Sequence, residues 1–343
     1  MFNERNVERK LAMKKPRIET PTDSYVVHYP KFIEFADTQL EKCFWTSNEI
    51  AMEKDKQDMK VNMTEAEHHA VTTALKLFVK YEIFVGTEYW LNRVMVKYPR
   101  PEIQRMAAVF GMMELAVHAP FYNKLNEVLG LNTDEFYTSY IDDPVLKSRV
   151  DFLDSVVASD DDLLSLAAFS IIEGAILFSS FAMFKNFQSN GNNLISNTVR
   201  GINQSVIDEG THQQGGAYLF RTVLKENKLK AEQLEKLKKD IAAVAYKIAE
   251  HEERIADMLF EKGNLRGMTA EQLKAFVRSR VNICLSDLGM EPIFPVEANP
   301  IADWFYTAMQ GYSQVDFFTG MGREYQRGWD EKSFGWNVTE VAE

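Results

Sequence analysis

Four groups of side chains able to hold a metal ion fall inside apolar stretches of this sequence. They are Glu82 in KYEIFVGTEYW, Glu114 with His118 in MELAVHAPFY, Glu173 in SIIEGAILFSSF, and Glu209 with His212 in VIDEGTHQQG. A carboxylate in an apolar environment costs several kcal/mol unless it is paired, protonated or bound to a cation. Four such positions invite one explanation. Carboxylates bridge hard cations and neutralise them, while one imidazole per ion leaves coordination positions open for oxygen. In helical bundles that hold two iron or manganese ions, two helices each give a carboxylate and two each give a Glu with a His one turn away. The order here, Glu, Glu with His, Glu, Glu with His, supplies that inventory. Tyr122 follows His118 by four residues, one turn along the same face, so an oxidisable phenol would stand beside the ions.

These groups need long helices to position them. Prolines are concentrated in residues 16–30, 99–120 and 292–300, and the segments between are rich in Ala, Leu, Glu, Lys and Met. That distribution predicts helices over 30–44, 64–97, 101–129, 143–158, 160–188, 192–225, 230–262 and 269–288. No alternating strand pattern of useful length separates them. Several run to about thirty residues against an average of ~11–12, and long helices with an apolar stripe pack side by side. The expected fold class is all-α, a bundle of long helices with a flexible C-terminal tail. Residues 1–25 read as a flexible leader, 26–310 as the helical domain and 311–343 as the tail.

Bulk properties narrow the function. A formal net charge of −11 over 343 residues, with 45% hydrophobic and 26% charged residues, describes a globular protein without a broad nucleic-acid surface. Cys43 and Cys284 form no thiolate metal pattern, which points to a reducing, cytoplasmic compartment. The charged N-terminus contains no secretory signal, and no run reaches the roughly 18–20 apolar residues of a membrane span. His28, His68, His69 and His251 lie in charged or loop-like contexts and read as surface residues.

With the ligand order go further motifs: CFWTSNEI at 43–50, EGAILFSSF at 173–181, DEGTH at 208–212, ANPIADW at 298–304 and DFFTGMGREYQRG at 316–328. Together they resemble the small, radical-generating subunit of class I ribonucleotide reductase, over most of the chain. The resemblance implies a ferritin-like fold and a dinuclear metal centre, Fe/Fe first, with Mn/Mn or Mn/Fe as alternatives. It implies an oxidant made with oxygen and passed to a large catalytic subunit that reduces ribonucleotides. Glu82, Glu114, His118, Glu173, Glu209 and His212 would be ligands. Trp45 and Asp208 would form the relay from His118, Tyr325 would continue it, and Tyr122 would store the radical unless the metals do. Leu177, Phe178 and Phe181 would help keep the oxidant dry. The tail, with Phe334 and Trp336 as anchors, would dock on the large subunit, and the chain would be a homodimer. A stand-alone di-metal oxidase on the same scaffold is the alternative.

Two features depart from the family pattern. Leu115 occupies the position three before His118 where a Glu is normal, and Glu114 lies four before it; a small rotation or one-residue bulge would keep Glu114 as a ligand. Many members have Asp as first ligand. Here Glu82 and Glu88, six residues apart and facing different directions, compete for that place, and Glu82 has the better separation from Glu114.

Overall fold

The computed structural model describes residues 17–311, apart from 190, 296 and 297. Several of the long helices have a local reason for their start. Helix α1 (Pro30–Asp37) begins with its proline and runs on as a π turn, Thr38–Lys42. Helix α2 (Glu65–Phe84) opens on a reciprocal cap: Thr64 accepts from the Glu67 N–H while the Glu67 carboxylate accepts from the Thr64 N–H. It widens into a ten-residue π segment, Val85–Val94. Helix α3 (Pro101–Met113) again starts on proline, passes through a π turn at Glu114–His118, and continues as α4 (Ala119–Leu129). Gly130 ends α4 at φ 74°, the left-handed conformation that glycine adopts without strain.

Helices α5 (Asp134–Thr138) and α6 (Pro144–Val157) lead to α7 (Asp162–Ala175), capped by Asp161, and α8 (Phe178–Asn186). Helix α9 (Ser196–Asn227) is the longest, followed by α10 (Ala231–Leu259), α11 (Ala270–Asp287) and α12 (Pro300–Gly311). Among the described residues there is no strand, only an isolated bridge between Leu265 and Met268. Helix α7 lies along α9 and also packs on α10 and α11, while α3 and α4 meet α9 through Phe110 at Gly215 and Phe121 at Gly201. One continuous core results, in which Trp45, Trp90 and Tyr122 are among the largest fully buried side chains. The all-α bundle expected from the proline spacing is the observed architecture.

Four expectations need correction. The helix expected over 160–188 is two helices, broken at Ile176–Leu177. Helices α5 and α12 form where none was expected, because short capped segments lack a long apolar period. The span Asp162–Asn186 is long and apolar enough to cross a membrane by composition, but 89% of its apolar window is buried inside the bundle. His251, expected at the surface, is 2% exposed: it sits on the inward face of α10, its ring 5.1 Å from that of Phe152. Of its charged sequence neighbours, Glu250 and Arg254 face outward, while Glu252 is buried and paired with Arg149. His69 is half-buried as well, bonded to the Met258 carbonyl. Tyr325, Phe334, Trp336 and the rest of the expected tail lie outside the described residues, as does most of the expected leader.

Candidate metal centre

The six carboxylate and imidazole residues arrive from four helical segments and meet in the core. Glu82 comes from the last turn of α2, Glu114 and His118 from the π turn between α3 and α4, Glu173 from α7, and Glu209 and His212 from α9. All are 0–2% exposed. Their donor atoms form two overlapping sets, Glu82, Glu114, His118 and Glu209, and Glu114, Glu173, Glu209 and His212, each with all donors within 4.8 Å of one another. Glu114 and Glu209 belong to both sets. Glu88, the rival of Glu82, is exposed on the opposite side of its helix.

The four-residue spacing of Glu114 and His118 is resolved by the backbone. The Ala119 N–H bonds to the Glu114 carbonyl, an i→i+5 turn. Such a turn advances each residue by less than the ~100° of an α-helix, so four π residues sweep nearly the angle of three α residues. His118 Nδ1 thereby stands 2.9 Å from Glu114 Oε2. The extra residue, Leu115, bulges toward α2, where Gly86 makes room.

The donor set fits a pair of cations. Both oxygens of Glu82 and of Glu209, Oε1 of Glu114, Oε2 of Glu173 and both ring nitrogens of His212 are buried without a hydrogen-bond partner. Buried polar atoms are otherwise almost always satisfied. His212 Nδ1 lies 2.6 Å from Glu114 Oε1 without the alignment of a hydrogen bond, as two ligands converging on one ion would. His118 Nδ1 also lies 3.3 Å from Glu209 and 3.7 Å from Glu82.

The buried charges of the cluster act strongly on one another. Burial, then Glu114, pushes Glu82 far above the usual carboxylate range; burial, then Glu209, does the same to Glu173. Burial would raise Glu114 too, but the His118 and His212 charges outweigh it and hold Glu114 low. Burial and Glu114 push Glu209 up, but the neighbouring His118 and His212 imidazoles outweigh both and bring it below its ordinary value. Burial opposes protonation of both imidazoles and Glu114 overrides it, so His118 lies well above its ordinary value and His212 at about 9.

Around it lies a second layer. Asp208 Oδ2 accepts from Trp45 Nε1 at 2.7 Å and faces His118 Nε2 at 3.0 Å, while Oδ1 accepts from Gln39 Nε2 at 2.8 Å. Trp90 Nε1 donates to Glu173 at 2.9 Å. Tyr122 is fully buried, its hydroxyl unbonded, its ring 4.5 Å from Phe78; Phe78 in turn meets Phe181 and Phe184. Burial, then the Glu82 charge, raises its pKa. Leu177 and Phe178 are also buried, and Phe178 packs on Phe181. Sequence reasoning missed Gln39, Trp90 and a second buried phenol, Tyr81, on which burial and then Glu173 act. Gln39 carries no local signal; Trp90 and Tyr81 stand in the quoted stretch around Glu82.

Known proteins share this arrangement of chain. The family model described as "Ribonucleotide reductase, small chain" matches residues 23–300. The "probable ribonucleoside-diphosphate reductase small subunit 048L" of Invertebrate iridescent virus 3 is 28% identical over 319 residues, 87% of this chain and 82% of the relative. The ribonucleoside-diphosphate reductase subunit beta of Mycoplasmoides gallisepticum is 25% identical, over 90% of this chain and 88% of its own. In fold, dimanganese(II)-NrdF of Streptococcus sanguinis superposes with a TM-score of 0.72 at 22% identity, covering 83% of this chain and 98% of that one. The Saccharomyces cerevisiae Rnr4 homodimer gives 0.69 at 20%, covering 91% and 98%. A buried cluster built for two cations, on a bundle whose match runs through nearly the whole described chain, leads to one conclusion: this chain belongs to the small-chain family of ribonucleotide reductase.

Proposed function

We propose that this small subunit of class I ribonucleotide reductase holds its metal pair through Glu82, Glu114, His118, Glu173, Glu209 and His212, and exchanges an oxidising equivalent with the large subunit through Asp208 and Trp45. The observation that carries this reading is the single oxygen of Asp208 that serves both the Trp45 indole and the His118 ring.

Glu114 and Glu209, common to both donor sets, would bridge; Glu82 with His118 and Glu173 with His212 would complete the two positions. The bound pair would supply the one-electron oxidising power that no amino-acid side chain has. We take iron at both positions as the first assignment, with Mn/Mn or Mn/Fe held by the same hard oxygen and imidazole donors. Asp208 fixes the His118 ring, leaving Nδ1 toward the carboxylates and Nε2 toward Asp208. Trp45 can then yield an electron while Asp208 keeps its indole N–H bonded. Tyr122 is the proposed store of the oxidant: its phenol is buried, unbonded and walled by Phe78, Phe121 and, one ring further, Phe181, which keep water away.

The tail from Gly311 onward would carry Tyr325 as the next relay residue and Phe334 and Trp336 as anchors on the large subunit, and the chain would act as a homodimer. Removing residues 326–343 should abolish turnover with the large subunit and leave metal loading unchanged. Retained turnover would exclude the docking role. The reading places the protein where the large subunit works, in the cytoplasm.

A further inference from the structure

The helix that carries Glu173 ends two residues later, at Ala175, and the break that follows is gripped by side chains from distant elements. At Ile176 the carbonyl accepts from Arg149 Nη2 at 3.1 Å, and at Gly174 the carbonyl accepts from Arg280 Nε at 2.9 Å. The two arginines differ. Arg149 is balanced by Glu252 at 3.2 Å, itself bonded to Ser179, so this group reads as a self-contained structural ion pair. Arg280 is 6% exposed and has no carboxylate within ion-pair distance among the described residues. A buried, unpaired guanidinium costs stability, so its place calls for an account.

Its partners supply one. Besides the Gly174 carbonyl, the guanidinium lies 3.9 Å from the centre of the Phe178 ring, the first residue after the break, and Nη1 donates to the Tyr306 hydroxyl at 3.1 Å. One turn along α11 from Arg280, Cys284 presses on the same backbone: a Cβ at Gly174 would meet Cys284 Sγ at 2.3 Å and Gln213 Cγ at 2.6 Å. The peptide next to Glu173 is thus held by α11 on one side and α9 on the other, with no slack for a side chain. Tyr306 belongs to α12, whose Phe305 packs on Phe178 and Phe276.

We propose that Arg280 is a positioning residue for Glu173, tying the ligand-bearing backbone to Tyr306 on the helix that leads into the C-terminal segment. Glu173 belongs to only one of the two donor sets. The hold therefore acts on one metal position, that of Glu173 and His212, and leaves the Glu82 and His118 position alone. A merely structural role would weaken both positions together or neither. This inference rests on the ligand assignment above.

The test is Mn(II) binding by the full-length chain, titrated by the electron paramagnetic resonance of free Mn(II), with the occupancy of each position read by anomalous diffraction at sub-saturating Mn(II). Wild-type protein should bind two ions; failure to do so overturns the ligand assignment itself. In Arg280→Gln the affinity at the Glu173 and His212 position should fall about tenfold, the lower end of what loss of an outer partner does to a metal site. The other position should be unchanged, and Arg280→Lys should recover part of the loss. Tyr306→Phe, which removes one hydroxyl and does not threaten the fold, should weaken the same position by a smaller factor. Wild-type occupancy of both positions in Tyr306→Phe and Arg280→Gln, or equal weakening of both, overturns the inference. If Arg280→Gln does not fold, Tyr306→Phe alone decides.

Discussion

Leu115 lies directly against Gly86: a Cβ on residue 86 would come within 2.8 Å of Leu115 Cγ and 3.1 Å of Glu114 Cβ. The residue inserted between Glu and His is therefore matched by a missing side chain on the helix that bears Glu82. The π turn and the glycine form one device, which keeps Glu114 pointed at His118 and His212.

Gly86→Ala should push Leu115 and Glu114 together, destabilising the chain by about 1–3 kcal/mol as overpacking does and weakening metal binding. Deleting Leu115 should turn the π turn into an ordinary α turn with Glu and His three apart, retaining two metal positions. In that shortened chain Gly86→Ala should be tolerated. Thermal melts and Mn(II) titration of the four proteins form a cycle, and additive effects would contradict the pairing.

Asp208→Asn keeps the shape of the side chain but replaces a carboxylate that serves three donors. Turnover with the large subunit should fall about 10–100-fold, the range for loss of a partner behind a metal-bound histidine. Two metals per chain should remain. Full turnover would remove Asp208 from the relay, and loss of both metals would make it a purely structural residue.

Metal loading should release protons. The fold raises Glu82, Glu173, His118 and His212, so each keeps its proton to higher pH than in the unfolded chain, and cations that need the deprotonated donors must displace protons. All four groups are raised in the fold, so the stability they give the metal-free protein is complete below their unfolded values and lost as pH rises through the folded ones. For His212 that window runs from 6.5 to about 9. The metal-free melting temperature should therefore fall across this window, while the gain on adding Mn(II) should grow. Calorimetry in buffers of different ionisation enthalpy counts the protons; a count near zero contradicts the scheme.

That Glu82, Glu114, His118, Glu173, Glu209 and His212 belong together could be read from the chain, because an ionisable residue inside an apolar helix stands out against its neighbours. Glu82 is preferred to Glu88 for its separation from Glu114, and the bundle is legible from helix length. What could not be read depends on partners far along the chain. Gln39 gains its role only when α1 meets Asp208 on α9, and Arg280 only when α11 meets the break after Glu173. His251 misled because several of the charged residues beside it in sequence, Glu250 and Arg254 among them, lie on the exposed face of the helix. The π turn at Glu114 was open as one of several geometries, since spacing alone does not say whether a helix rotates or widens.

The most direct measurement is the electron paramagnetic resonance spectrum of freshly activated full-length protein, taken with metal quantitation and with turnover by the large subunit. Two metals per chain, with a tyrosyl signal that disappears together with turnover in Tyr122→Phe, is the result expected. Fully active protein with no organic radical, or a folded chain that binds fewer than two metals at saturation, would contradict the account.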